Sequence, residues 1–251
     1  MNVLTIMRRN VKWRFHNAFT IVITILQPML WLILYSNVAG PSMQGIGIKN
    51  YTAFILPGLI VLVGFGACSS SGIMNYLMKK DGSFYRILIA PVQRSSIVIG
   101  QVLEAVLCTF LEVAVMCVVS LFLSVKIASG LKGFLIIVLL IFMTAFFMAG
   151  ITYAISLCLP DEAVYETVMN AIVLPVFFLS TALFPSDMLS GGLAFAAGIN
   201  PFTHVINALR ALIIQGDIIT KDILTAVILL AFMCCLSFTW ALRRLIKETG
   251  R

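Results

Sequence analysis

Charge is scarce in this sequence. Of its 251 residues only 11% are Asp, Glu, Lys or Arg, against 61% hydrophobic, and mean hydropathy is +1.07. A soluble domain carries roughly 45–50% apolar and about 25% charged residues. So few polar side chains could not cover a water-facing surface, which excludes a soluble enzyme and puts the chain in a bilayer. Histidine is nearly absent, with only His16 and His204. The six cysteines (Cys68, Cys108, Cys117, Cys158, Cys234, Cys235) show no CxxC or Cys/His metal spacing and read as small buried hydrophobes. Also missing are a G-x-x-x-x-G-K-[ST] phosphate loop, an HExxH motif and a GxSxG nucleophile turn. The chain should therefore do no covalent chemistry and hold no metal or cofactor of its own. Net charge is +7, but the basic residues flank apolar runs and form no extended face, which argues against nucleic acid.

Long apolar runs are what the sequence has in abundance. A helix needs about 20 apolar residues to cross the hydrocarbon, and six stretches qualify: 18–38, 52–75, 97–123, 133–157, 164–184 and 222–242. The first has too long an apolar core for a cleavable signal peptide. Twelve basic residues fall on one side of these spans: Arg8, Arg9, Lys12, Arg14, Lys79, Lys80, Arg86, Arg94, Arg243, Arg244, Lys247 and Arg251. Lys49, Lys126, Lys132, Arg210 and Lys221 fall on the other. The positive-inside rule then places both termini in the cytoplasm. Leu189-Ser190-Gly191-Gly192 matches four letters of the LSGGQ signature of ATP-binding-cassette (ABC) ATPases. Residue 193 is Leu193, however, and the segment lies outside the cell, where there is no ATP pool. It is a chance match in a Gly-rich turn.

Three segments are not simple spans. At the N-terminus, Leu4, Met7, Val11 and Phe15 fall on one helical face, away from Arg8, Arg9 and Lys12. That pattern predicts a helix lying flat in the interface, with a plain basic flank as the alternative. Between spans two and three, Asp81-Gly82-Ser83 offers a turn and a cap. Phe84, Ile87 and Leu88 then recur at helical spacing until Pro91. This short helix carries an apolar knob suited to a groove on another protein. Before span six, Asn200 is a good N-cap and Pro201 a favoured first residue. Phe202, Val205, Ile206 and Leu209 form an apolar face, and Thr203, Asn207 and Arg210 form a polar stripe with His204 beside it. The run is too short to cross and should be buried in protein.

Span three carries Glu104 and Glu112. Two central acidic residues cost roughly 5–7 kcal/mol on the insertion scale, so the span needs neighbours and both acids should face protein or a cavity. They lie about 80° apart around the axis and about 12 Å along it, too far to share a proton. A lining of the translocation path and hydrogen bonding to Ser, Thr or Asn of other spans are both open readings. Pro28, Pro57 and Pro175 permit kinks in spans one, two and five. Gly58, Gly64, Gly66 and Gly72 permit close packing of span two.

These residues resemble the ABC-2 family of bacterial exporter permeases. The family's G-[TS]-x-x-x-x-L-x-[AS]-P pattern reads here Gly82-Ser83-Phe84-Tyr85-Arg86-Ile87-Leu88-Ile89-Ala90-Pro91. Its N-P-[LF]-[TS] motif reads Asn200-Pro201-Phe202-Thr203 and leads to Arg210. The acid often found before the first Gly is present as Asp81; a second, near position 85, is absent. The resemblance implies an all-α integral membrane fold with six spans in the bacterial cytoplasmic membrane. It also implies an elbow helix bearing Arg8, Arg9, Lys12 and Arg14, a coupling helix at about 83–90, and re-entrant outer helices within about 185–216. The expected function is export of a drug-, antibiotic- or lipid-like substrate. Two copies of a separate cytoplasmic ATPase would supply ATP and Mg, and a second permease copy would complete a homodimer. The rival from another class is a proton-coupled secondary transporter using Glu104 and Glu112.

Overall fold

A computed structural model describes residues 3–16, 18–45, 48, 50–90, 92–125, 127–216 and 221–249. Among these the chain is helical, with no strand. Its helices are α1 (Val3–His16), α2 (Ala18–Val38), α3 (Gly40–Gln44), α4 (Tyr51–Lys80), α5 (Ser83–Ile89) and α6 (Arg94–Phe122), then α7 (Gly130–Cys158), α8 (Glu162–Phe178), α9 (Gly192–Ile199), α10 (Pro201–Arg210) and α11 (Lys221–Thr249). A single π-helical turn, Ala211–Gln215, extends α10 and ends at Gly216, whose φ of +75° suits glycine.

α4 is the axis of the bundle. It is buried along most of its 30 residues and packs against α2, α6, α7, α8 and α10. Asn50 caps it by accepting from Ala53 N at 3.1 Å. Gly58 lets the backbone around Ala182 approach closely: a Cβ there would stand 2.6 Å from Ala182 Cβ and 2.8 Å from its Cα. A Cβ on Gly72 would overlap the Tyr165 hydroxyl. Gly64 has only ordinary contacts and Gly66 faces open space, so two of the four glycines are needed for packing.

α4, α6, α7 and α11 are long and apolar enough to cross a membrane. Their outward faces carry what water would not tolerate. On α11, Leu224, Ile228, Phe232 and Leu236 recur every fourth residue and are all more than half exposed, a lipid-facing stripe. The two remaining expected spans are shorter. α2 runs 21 residues straight through Pro28. α8 has 17 residues, about 26 Å, and stops at Phe178, short of the expected 184. Pro175 lies in its last turn, and Asn200 Nδ2 donates to Val176 O (2.6 Å) and Leu179 O (2.9 Å). Those bonds hold the chain in a turn where a longer helix would otherwise continue.

The cysteines are free thiols. Cys68 and Cys108 are buried, but Cys158 and Cys235 are exposed, contrary to a uniformly buried set.

Candidate functional site

The most polar part of the interior is a chain of hydrogen bonds centred on α6. Gln101, Glu104, Cys108 and Glu112 follow one another at i, i+3, i+7 and i+11, which places them along one face. Three other helices meet that face. α1 brings Asn10 and Arg14, α4 brings Ala67 and Ser71, and α2 brings Thr24. Asn10 Nδ2 donates to Gln101 Oε1 at 2.8 Å, and Gln101 Nε2 donates to Ser71 Oγ at 3.0 Å. Ser71 Oγ donates in turn to Glu104 Oε2 at 2.6 Å. Arg14 Nη1 reaches Glu104 Oε1 at 3.1 Å while its Nη2 donates to Ala67 O at 3.0 Å. Thr24 donates to Glu112 Oε1 at 2.9 Å, and Arg14 Nη2 stands 3.9 Å from that oxygen. At the outer end of the chain, Arg9 Nη2 donates to Asn10 Oδ1 at 2.8 Å.

Arg14 changes the meaning of span three. The sequence places it among the cytoplasmic orientation charges, yet it is 4% exposed, and its two carboxylate neighbours are equally enclosed. One guanidinium serves both Glu104 and Glu112. Two polar atoms in this enclosure, Arg14 Nε and Glu112 Oε2, have no hydrogen-bond partner. The inward face of α1 is accordingly Ile6–Asn10–Arg14, while Leu4 and Phe15, from the apolar face read in the sequence, are exposed. Gly100 allows this docking, since a Cβ there would lie 2.8 Å from Ile6 Cγ2. Arg8 and Lys12 stay exposed.

α5 also turns differently from expectation. Gly82, at φ +72°, makes the turn out of α4, and Ser83 Oγ donates back to Met78 O at 3.2 Å. Phe84 and Ile87 are buried against the chain's own core, and Leu88 is half-buried. Lys79 Nζ lies 5.4 Å over the Phe84 ring. The apolar knob is thus used internally, and the face left outside is Tyr85, Arg86 and Ile89, the last 84% exposed. Arg94 Nη1 caps the helix by donating to Leu88 O at 2.9 Å. Pro91 lies outside the described residues.

At the opposite end, α9 and α10 join at Asn200, which also caps α10 by accepting from Phe202 N at 3.0 Å. Pro201 occupies the first helical position. Arg210 folds back over the Phe54 ring at 3.7 Å. It donates to Phe54 O (3.2 Å), Asn207 Oδ1 (3.0 Å) and Thr181 O (2.6 Å). Asn207 Oδ1 also accepts from Thr181 Oγ1 at 2.8 Å. Of the expected polar stripe, Asn207 and Arg210 are brought together. Thr203 is buried with its hydroxyl unpartnered, and His204 is half-buried beside them.

The family model for ABC-2 type transporters matches residues 1–214. The chain belongs to that family. It is 27% identical over 196 residues to a protein of Cyanophora paradoxa named as a transport permease, ycf38, a match spanning 77% of this chain and 67% of that one. Nodulation protein J of Rhizobium leguminosarum bv. trifolii is 22% identical over 222 residues, 87% of this chain and 84% of its own. ABC transporter G family member 20 of Dictyostelium discoideum is 24% identical over 182 residues, 70% of this chain but 24% of that larger protein.

As an ABC-2 permease, the chain is a membrane component of an ABC transporter, and its geometry suits that role. Among the described residues no group of three His, Cys, Asp or Glu could hold a metal ion. Phe84 and Ile87 fix α5 to the bundle, α4 runs from there past Ser71 and Ala67 in the ion network, and it reaches Arg210 of α10 through Phe54. One continuous helix therefore touches all three sites.

Proposed function

We propose that this ABC-2 permease is the membrane-spanning half of an exporter for a drug-, antibiotic- or lipid-like substrate, driven by a separate cytoplasmic ABC ATPase. The observation carrying this reading is α5. It is a seven-residue helix between two membrane-crossing helices, anchored inward by Phe84 and Ile87, and it leaves Tyr85, Arg86 and Ile89 without a covering element. Two ATPase copies, holding ATP and Mg, would press on two such helices in a permease homodimer. The push would pass along α4 to the Arg14–Glu104–Glu112 network and to the Asn200–Arg210 segment, opening or narrowing the path. α1 would serve as the elbow helix, with Arg8 and Lys12 toward anionic headgroups. The basic ends of α4 and α11 support a topology with both termini in the cytoplasm, in the plasma membrane of a bacterial cell.

Purification of the tagged chain from native membranes, followed by an ATP hydrolysis assay, tests this. Hydrolysis should co-elute with the wild type and be lost with Tyr85→Asp plus Ile89→Asp, while the variant keeps its elution volume. Hydrolysis retained by that variant would move the docking surface elsewhere. The unpartnered Glu112 Oε2 favours a second reading, a proton-coupled carrier. That reading requires transport that follows the pH gradient and continues after the ATPase is removed.

A further inference from the structure

Three crossing helices end together at the basic end of the molecule. The last turns of α4 and α11 and residues Leu157–Pro160 at the end of α7 surround a cleft of about 490 Å³. Lys79, Arg244, Lys247, Tyr85 and Glu248 supply its polar lining. Three cations therefore face one carboxylate. Glu248 Oε1 accepts from Lys79 Nζ at 3.0 Å, while Arg244, Lys247 and the Tyr85 hydroxyl have no hydrogen-bond or ion-pair partner among the described residues. The nearby Asp161 carboxylate is turned away, capping α8 by accepting from Val164 N at 2.9 Å. The cleft thus holds an excess of donors and no acceptor to match them. A group with several anionic oxygens fits that deficit.

The depth of the cleft selects among such groups. On α4, Tyr76 precedes Lys79 and Lys80; on α11, Trp240 precedes Arg243, Arg244 and Lys247. An aromatic followed by basic residues one turn on marks the level of the lipid headgroups. α4 is 30 residues long and α7 and α11 are 29 each, about 45 Å, so their last turns pass beyond a hydrocarbon core of about 30 Å. We propose that this cleft binds the phosphate of an anionic membrane lipid between α4 and α11, beside the exposed face of α5. Arg244 supplies a fork for the phosphate oxygens, and Lys247 and Tyr85 add further donors.

Native mass spectrometry of the full chain, released from nanodiscs of phosphatidylglycerol or of phosphatidylcholine, tests the proposal. Phosphatidylglycerol should be retained and phosphatidylcholine lost. Each cation near the surface contributes about fivefold, so Arg244→Gln with Lys247→Gln should weaken retention roughly twenty-five-fold. Arg244→Lys with Lys247→Arg should retain most of it. An unchanged elution profile for the double variant excludes misfolding as the cause. Equal retention of the two lipids, or undiminished retention by the double variant, overturns the proposal. So does displacement of the lipid by millimolar inorganic phosphate with no preference for the lipid, which would assign the cleft to a soluble anion.

Discussion

Arg14 and Glu104 stand 90 positions apart in the chain and meet at 3.1 Å, each enclosed by protein. The contact pins α1 to α6 where a bare charge would be expensive. Removing one partner of such a pair strands the other and destabilises by about 3–5 kcal/mol. Arg14→Leu should therefore strongly lower the temperature at which the buried Cys68 and Cys108 become reactive to a thiol dye in detergent, after the exposed thiols are blocked. Arg14→Leu with Glu104→Leu should cost less than the two singles summed, by 1 kcal/mol or more. Additive losses would mean the two side chains do not interact.

The close approach of α4 to the segment after α8 gives a second test. Gly58→Ala forces a Cβ against the Ala182 backbone and should destabilise by about 1–3 kcal/mol. Gly66→Ala meets nothing within 4 Å and should be neutral, within about 0.5 kcal/mol. The same thermal assay compares them; equal effects would contradict the packing described.

At the end of α10, Arg210 makes three hydrogen bonds and stacks on Phe54. Lysine keeps the charge but not the fork. Arg210→Lys should cost about 2 kcal/mol or more, read as a lower melting temperature. Its losses should be non-additive with those of Asn207→Ala, because the two side chains bond each other.

Sidedness can be read from thiols. Cys158 is exposed at the end where α4 and α11 carry their basic turns. With Cys235→Ser removing the other exposed thiol, an impermeant maleimide should label Cys158 in inside-out vesicles only. Phe195→Cys, at a position 72% exposed on α9, should label only from the outside. The reverse pattern would invert the topology.

Much of this was legible in the sequence, and particular residues show where legibility stopped. The Asn200-Pro201 cap is local chemistry and appears where the pattern places it. Glu104 and Glu112 announced a need for partners, because carboxylates in an apolar helix must find them. Arg14 did not announce itself, since a basic residue before a span looks the same whether it points to headgroups or into the protein. Ile6 and Asn10, at its i−8 and i−4 positions, were the available signal. For α5, helical spacing revealed which face is apolar but not what covers it. Phe84 and Ile87 turned out to be covered by their own chain, moving the exposed face to Tyr85, Arg86 and Ile89. The early end of α8 depends on Asn200, more than 20 residues away in sequence, which no local reading of Pro175 could supply.

The central claim is that the outer face of α5 meets an ATPase. Its most direct test is a photo-crosslinking amino acid placed at Ile89 and, separately, at Ile87, with irradiation of native membranes and mass spectrometry of the adducts. The account predicts an adduct between position 89 and an ABC ATPase subunit, while position 87 links only within the chain. ATPase adducts from position 87 alone, or from neither position while the fold stays intact, would contradict it.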